Sequence, residues 1–273
     1  MFLKPSQKVV PTYAGDYVEW HQGRTDYALW YLEIENAELL QYLNQLRTSF
    51  SDLLYTPNTR QFHITLFICG FLKQSDVSAS LVNFTLNGSH TDCHLKNSNE
   101  SDFLANQHLA YVNDANQQHI AKTCAHQTSQ DFDEQLNKPM PDDFSIRQLQ
   151  QQLNQLQTMQ PLKFQLSTGR INSFESALFV EVIDPTAQLQ QLRKAIARTS
   201  NEIAPLNYCP HITIGLYKDE ILSDDVFQRI AQIEQASFEI NIQQLSFGSY
   251  QAQLLQGPLT VHHQFKLGEL CCD

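Results

Sequence analysis

Two short stretches decide the fold of this chain: His63-Ile64-Thr65-Leu66 and His211-Ile212-Thr213-Ile214. Both follow the pattern His, apolar, Thr, apolar. Successive side chains of a strand point to opposite faces of its sheet, so the pattern predicts a strand with His and Thr on one face and the aliphatic residues in a core. Each copy therefore presents an imidazole beside a hydroxyl.

The two copies lie 148 residues apart, and the same offset aligns the segments before them. Leu32-Glu33-Ile34 falls on Val180-Glu181-Val182 without a gap. Between each apolar run and its motif lies a stretch with leucines at helical spacing, at 38–46 and at 188–196. Each half thus predicts strand, helix, loop and motif strand. A repeat this long indicates two similar lobes and excludes a solenoid.

The rest of the chain predicts an α+β fold with a mostly antiparallel sheet. We expect one domain over 1–273, with lobe one at about 27–72, lobe two at about 146–267, and a polar insertion rich in Asn, Gln, Ser and Asp at about 73–144. The predicted strands are 27–34, 61–71, 164–166, 177–183, 238–242 and 259–267, and the predicted helices are 38–50, 146–160 and 189–203.

Composition narrows the range of partners. The chain has 273 residues, a formal net charge of −11 and a pI near 5.3, and long nucleic acid is disfavoured because its affinity comes mainly from neutralised phosphates. A small nucleotide, a cyclic phosphate or an oligonucleotide end needs only a few local cations. The start of the chain lacks the apolar region of a signal peptide, no stretch approaches a membrane span, and the six cysteines fit reduced thiols. We expect a cytoplasmic monomer that does not bind membranes.

The two motifs and their surroundings resemble the 2H phosphoesterase superfamily, which includes bacterial 2′-5′ RNA ligase-like proteins and 2′,3′-cyclic nucleotide phosphodiesterases. The matching segments are Phe62–Phe67, ending at Gly70, and Cys209–Gly215, in which Pro210 directly precedes the second histidine. The resemblance covers about 27–72 and 146–267. It implies a duplicated two-lobe fold with outer helices and a central cleft, and a reaction that needs no metal and no cofactor.

The residues permit acid–base cleavage of a phosphodiester. An imidazole titrates near pH ~6.5, so one histidine can take a proton from the nucleophile while the other gives one to the leaving oxygen. Thr65 and Thr213 would donate hydrogen bonds to the non-bridging oxygens, where negative charge grows in the transition state. The resemblance implies His63 as the general acid and His211 as the general base. A 2′,3′-cyclic phosphate, a 2′-5′ linkage or an RNA-end phosphate would be the substrate.

Five further residues are candidates for substrate binding. Tyr217 and Phe174 could stack on a base or could equally pack in the core, and Arg60, Arg170 and Lys218 are candidate phosphate cations that could instead be solvated surface residues. Relatives often carry a basic residue just after the second motif, whereas here Gly215-Leu216-Tyr217 comes before Lys218. In the His- and Cys-rich stretch at 90–126 the nearest pairs are His90-x2-Cys93 and Cys124-x-His126, and the second is tighter than the two to four residues typical between zinc ligands. We therefore read the stretch as a polar insertion and expect no metal.

Three classes of function stay open on the sequence. The first is a cyclic phosphodiesterase of the 2H type, or an RNA 2′-5′ ligase running the same chemistry in reverse. The second is a module that binds a nucleotide or an RNA end without turnover. The third is an interaction protein that uses the insertion at 73–144.

Overall fold

The computed structural model describes residues 2–13, 20–73, 141–203 and 207–269. The greater part of the predicted insertion, with its His- and Cys-rich stretch, lies outside these ranges. Within them, no helix has both the length and the apolar character that crossing a membrane requires.

The described residues form one curled sheet flanked by helices on one side. Its strands are β1 (Asp26–Glu33), β2 (His63–Leu72), β3 (Asp143–Phe144), β4 (Phe164–Ser173), β5 (Ala177–Ile183), β6 (His211–Leu216), β7 (Glu239–Ile242), β8 (Gln244–Gln251) and β9 (Leu259–Lys266). The helices are α1 (Ala37–Ser49), α2 (Ile146–Met159), α3 (Gln188–Ile196) and α4 (Ser223–Ala231).

The strand order is β7-β4-β5-β6-β2-β1-β8-β9, and the two motif strands meet at its centre. Every pairing in this path is antiparallel, while the short β3 lies parallel to the end of β2. The path is symmetric about the junction of β6 and β2: each motif strand is followed outwards by a partner, a third strand and an edge strand. The predicted α+β class with mostly antiparallel sheet and a duplicated arrangement is confirmed.

The repeat extends to individual pairings. Glu33 pairs with His63 in the first half, and Glu181 pairs with His211 in the second, both separated by the offset of 148 residues. A β-bulge interrupts each pair at the same place, between Trp30 and Tyr31 in β1 and between Leu178 and Phe179 in β5. The extra residue on each motif strand is the fourth residue of its motif. The register of the motif, as well as its sequence, is therefore duplicated.

The aliphatic positions of both motifs lie in the main core. Ile64, Leu66, Ile212 and Ile214 are fully buried and belong to the same cluster as the apolar stripes of the helices, which include Leu39, Leu43, Leu149, Leu153, Leu189 and Leu192. Helix α2 begins at the N-cap Ser145 with a complete capping box. Because the helices cover one face of the sheet, the His and Thr side chains are left on the other.

Most predicted elements occur within a few residues of their expected bounds, but two of them need correction. β4 runs on to Ser173, well beyond the predicted 164–166, because it pairs with both β5 and β7. Helix α3 ends at Ile196 and does not reach 203, since the chain turns there and brings Glu202 back onto Arg193.

The predicted boundary of lobe two also needs correction. The range 146–267 includes β8 and β9, but β8 pairs with β1 over Asp26–Tyr31 and β9 pairs with β8. The first half of the sheet is therefore built from both ends of the described chain. β8 and α4 were absent from the sequence-based prediction.

Gly70 provides a test of the junction where the chain leaves β2. Its φ is +114°, and a Cβ placed on it would lie 2.2 Å from the carbonyl oxygen of Asp142. Gly70→Ala should therefore lower the free energy of unfolding by at least ~2 kcal/mol, through both backbone strain and the clash. Gly268→Ala is the control, because its Cβ would come closest to a side-chain atom of Leu162, at 3.2 Å. Urea denaturation measures both; equal, small losses would contradict the prediction.

Candidate active site

The pairing of the two motif strands places four polar side chains together. Ile64 and Ile212 are the paired residues of β2 and β6. In an antiparallel register the neighbouring positions then set His63 opposite Thr213 and Thr65 opposite His211. All four side chains point to the face away from the helices. Each histidine thus lies beside the threonine of its own motif and opposite the threonine of the other.

The two imidazoles are held in the same way. His63 Nδ1 lies 2.8 Å from the carbonyl oxygen of Gln61, and His211 Nδ1 lies 2.7 Å from that of Cys209. A carbonyl oxygen can only accept, so Nδ1 carries the hydrogen in both rings. In the neutral imidazole the lone pair is then on Nε2, which can take a proton as a base or, once protonated, give it as an acid.

Aromatic rings orient the histidines by edge contacts. Tyr31 meets His63 with ring centroids 5.6 Å apart at 78°, and Phe179, at the equivalent position of β5, meets His211 at 5.3 Å and 66°. Phe174 adds a second edge contact to His211 at 4.9 Å and stacks on Phe179 at 4.0 Å. The environment of His211 is therefore more apolar than that of His63.

The surroundings of both histidines favour the neutral ring. The pKa of His63 is lowered to about 4; burial is the main cause, the positive charges of Arg60 and His211 add to it, and the hydrogen bond to the Gln61 carbonyl opposes it. The pKa of His211 is also lowered by burial, against the opposing effect of its bond to the Cys209 carbonyl.

A cavity of about 160 Å³ opens beside this group. Its polar lining includes His63, Thr65, Thr213, Arg47 and Arg60, and an apolar part of the wall is formed by Tyr27, Leu29, Ile68, Leu216 and Tyr250. The cavity lies on the His63 side of the motif pair. It joins two cations, two hydroxyls and an imidazole, which is a set of groups suited to an anionic ligand with an apolar portion.

The structure places the five other candidates differently. Arg60 lines the cavity, and Phe174 is half-buried against His211. Tyr217 is a correction to the stacking hypothesis: it is fully buried, and its hydroxyl lies 2.7 Å from Ser173 Oγ, so its ring packs in the core. Arg170 and Lys218 are exposed and are not among the residues that line the cavity.

Arg47 also lines the cavity, although no sequence pattern indicates it. It lies in the last turn of α1, where a basic residue ordinarily complements the helix dipole at the surface. Here its Nε donates to the carbonyl oxygen of Ile214 at 3.0 Å, its guanidinium lies 4.0 Å from the ring centre of Phe62, and burial lowers its pKa to about 10. The offset of 148 residues leads from Arg47 to Ala195, so the repeat gave no signal for it.

Residues 136–253, which contain the second motif, match the family model described as the 2′-5′ RNA ligase superfamily. The similarity to this superfamily therefore covers most of the second half of the chain. The sequence-based assignment to the 2H phosphoesterases is thereby confirmed, and the superfamily is one of enzymes acting on phosphoric esters. No curated protein matches the chain in sequence.

Several solved structures are similar to this chain. Escherichia coli LigT complexed with 3′-AMP is 10% identical, with 89% of this chain and 98% of that chain covered and a TM-score of 0.48. The same protein complexed with NADP+ is 11% identical, with 89% of this chain and 98% of that chain covered and a TM-score of 0.42. The protein TT0787 of Thermus thermophilus is 10% identical, with 88% of this chain and 97% of that chain covered and a TM-score of 0.41.

The tautomers and the lowered pKa values can be measured by NMR of the imidazole nitrogens. Both motif histidines should show hydrogen on Nδ1, and His63 should titrate near pH 4. Added inorganic phosphate should raise both pKa values, because a nearby negative charge favours the imidazolium, and phosphate should therefore bind with proton uptake between the free and the bound pKa. His63→Asn and His211→Asn assign the signals. An Nε2–H tautomer, or titration of both rings near pH ~6.5 without phosphate, would contradict the structure.

Proposed function

We propose that this protein is a metal-independent phosphodiesterase that hydrolyses a 2′,3′-cyclic nucleotide, a 2′-5′ linkage or an RNA-end phosphate by acid–base catalysis between His63 and His211. The observation that carries the proposal is the convergence of two histidines with the same fixed tautomer and two threonines on one face, beside a cationic cavity. Two unrelated strand histidines would not be expected to have the same register, a carbonyl acceptor two residues before the ring and an equivalent aromatic neighbour.

The reaction needs two proton transfers at one phosphorus centre. Nε2 of the neutral histidine removes a proton from water, the oxygen of that water attacks phosphorus, and the P–O bond to the leaving oxygen breaks. The protonated histidine gives its Nε2 proton to the leaving oxygen, which leaves as a hydroxyl. Thr65 and Thr213 donate to the non-bridging oxygens, whose charge increases as the nucleophile approaches.

The substrate supplies the charge that the protonated histidine requires. The protein's own groups favour neutral rings at both motifs, whereas the mechanism needs one of them protonated. An anionic phosphate placed between the rings raises their pKa values and allows one proton to be held in the complex. The two groups then titrate as a coupled pair, and the pH profile of kcat/KM should be bell-shaped.

The division of roles is open to a second assignment. The resemblance makes His63 the acid, but the charge of Arg60 disfavours a proton on His63, whereas the pKa of His211 is lowered by burial. Before substrate binds, the charges near the rings therefore favour His63 as the base and His211 as the acid. In the ligase direction the roles exchange.

Removal of either imidazole should abolish most of the activity. His63→Ala and His211→Ala should each lower kcat by at least ~10² on a 2′,3′-cyclic nucleotide, and Thr65→Val or Thr213→Val by about 10², with full wild-type activity in EDTA. His263→Ala and Thr260→Val, outside the cavity, are the controls. Activity retained by a His63→Ala/His211→Ala double variant would refute the mechanism. Stoichiometric nucleotide binding without turnover by the wild type would instead favour the binding module.

A substrate with a good leaving group separates acid from base. A p-nitrophenyl phosphodiester needs little protonation of its leaving oxygen, so the variant that lacks the acid should recover most of its loss on this substrate and the variant that lacks the base should not. The measurement is the ratio of kcat/KM for the two substrates in His63→Ala and His211→Ala. Selective recovery of His211→Ala would support the assignment from the charges, and selective recovery of His63→Ala the assignment from the resemblance.

A further inference from the structure

Two arginines cross between the halves of the molecule in a matched arrangement. Arg47 donates to the carbonyl oxygen of Ile214, and Arg193 donates through Nη1 to that of Leu66 at 2.5 Å. Leu66 and Ile214 are the extra residues of the two equivalent bulges, where the regular ladder is interrupted. Each arginine also lies over an aromatic ring just before a motif, Phe62 for Arg47 and Tyr208 for Arg193.

The two arginines differ in charge compensation. Arg193 forms an ion pair with Glu202, so its charge is matched within the protein. In the described part of the chain, no carboxylate lies within ion-pair distance of Arg47. A half-buried guanidinium without a matching carboxylate is unusual in a chain of net charge −11.

Arg60 adds a second such cation to the same cavity. Its guanidinium lies 3.7 Å from the ring centre of Tyr250, and its Nε donates to the carbonyl oxygen of Gly257 at 3.0 Å. Stacking and this one bond fix the plane of the group. It forms no ion pair with any carboxylate of the described residues. The protein therefore fixes the orientation of the guanidinium N–H donors but does not neutralise their positive charge.

The two sides of the site, which the repeat relates to each other, therefore differ in charge. Arg47 and Arg60 line the cavity on the His63 side, and no Asp or Glu of the described ranges is among the residues that line it. On the other side, Phe174 and Phe179 pack against His211. A ligand that spans the motif pair meets two cations at one end and aromatic carbon at the other.

We propose that Arg47 and Arg60 bind a second phosphate of the substrate, separate from the phosphate that is cleaved. The preferred substrates would then be nucleotides that carry a further phosphate monoester, such as a 2′,3′-cyclic nucleotide with a 5′-phosphate. This inference rests on the proposed function and adds the substrate class and its orientation.

The balance of charge supports a second anion. A phosphodiester carries one negative charge, and the two threonine hydroxyls with one protonated histidine already provide donors and a positive charge for it. Two further guanidinium groups exceed that need and match a phosphate monoester, which carries up to two negative charges and accepts paired hydrogen bonds from arginine.

Equilibrium binding tests the inference without requiring turnover. Adenosine 3′,5′-bisphosphate and adenosine 3′-monophosphate are titrated into the full-length wild type by calorimetry at fixed low salt. We expect the bisphosphate to bind at least ~10-fold tighter, as one charge-assisted contact can provide. Arg60→Gln and Arg47→Gln should each reduce this preference to less than ~3-fold, and Arg47→Lys, which keeps the charge at Arg47, should retain part of it.

Matched controls separate local binding from general electrostatics. Arg147→Gln and Lys194→Gln each remove one positive charge from an exposed position and should leave the preference intact. Equal affinity of the wild type for the two ligands, or an equal loss of preference in the control variants, would overturn the inference. Preference without hydrolysis of a 2′,3′-cyclic nucleotide, a 2′-5′ linkage or an RNA-end phosphate would refute the proposed function but retain the second phosphate site. Hydrolysis without a preference for the bisphosphate would support the proposed function and refute the second phosphate site.

Discussion

The candidate site depends on one backbone constraint, the antiparallel pairing of β2 with β6 at Ile64 and Ile212. This pairing joins the two halves of the sheet and at the same time sets His63 opposite Thr213. A shift of one residue would turn the polar side chains of one strand into the core and its isoleucine outwards. Because both isoleucines are fully buried, the hydrophobic core itself maintains the register on which the polar face depends.

The cross-linking arginines bond to this junction where the regular ladder is interrupted. A bulge follows each His-x-Thr segment, and an arginine from the opposite half bonds the carbonyl of the extra residue. The two arginines differ in how their charge is compensated. Arg193 is neutralised by Glu202 and remains a tie between halves, while Arg47 keeps its charge and lines the cavity. The two halves of the duplicated framework therefore differ in charge at equivalent bulges.

Sequence alone predicts the parts of the fold that have strong periodicity. The motif strands, α1, α2 and the strand at Ala177–Ile183 carry clear alternation or leucine spacing, and the offset between His63 and His211 carries over to the pairing register. β8 escaped prediction because Ser246, Gly248 and Ser249 interrupt its apolar pattern with small residues. Its partner on the sheet is distant in sequence, and no local signal indicates it.

The site residues show the same division between local and long-range signals. The sequence indicates His63, Thr65, His211 and Thr213 as candidates because their chemistry and spacing are local, and the pairing of β2 with β6 brings them together. Tyr217 is close to the second motif in sequence, but the hydrogen bond between its hydroxyl and Ser173 holds it in the core. Arg47 is identified only by what surrounds it: an aromatic face, a bulge carbonyl and the lack of a nearby carboxylate among the described residues.

The return of β8 and β9 to the side of β1 bears on how the molecule comes into being on the ribosome. The second half, from β4 to β7, is contiguous in sequence and can assemble as soon as it has emerged. The first half, although synthesised earlier, keeps an unpaired edge along β1 until Gln244–Gln251 arrives. The earlier-made lobe is therefore the later one to be completed, and the cavity, which includes Tyr250 and Gln256, forms only after these two residues have been translated.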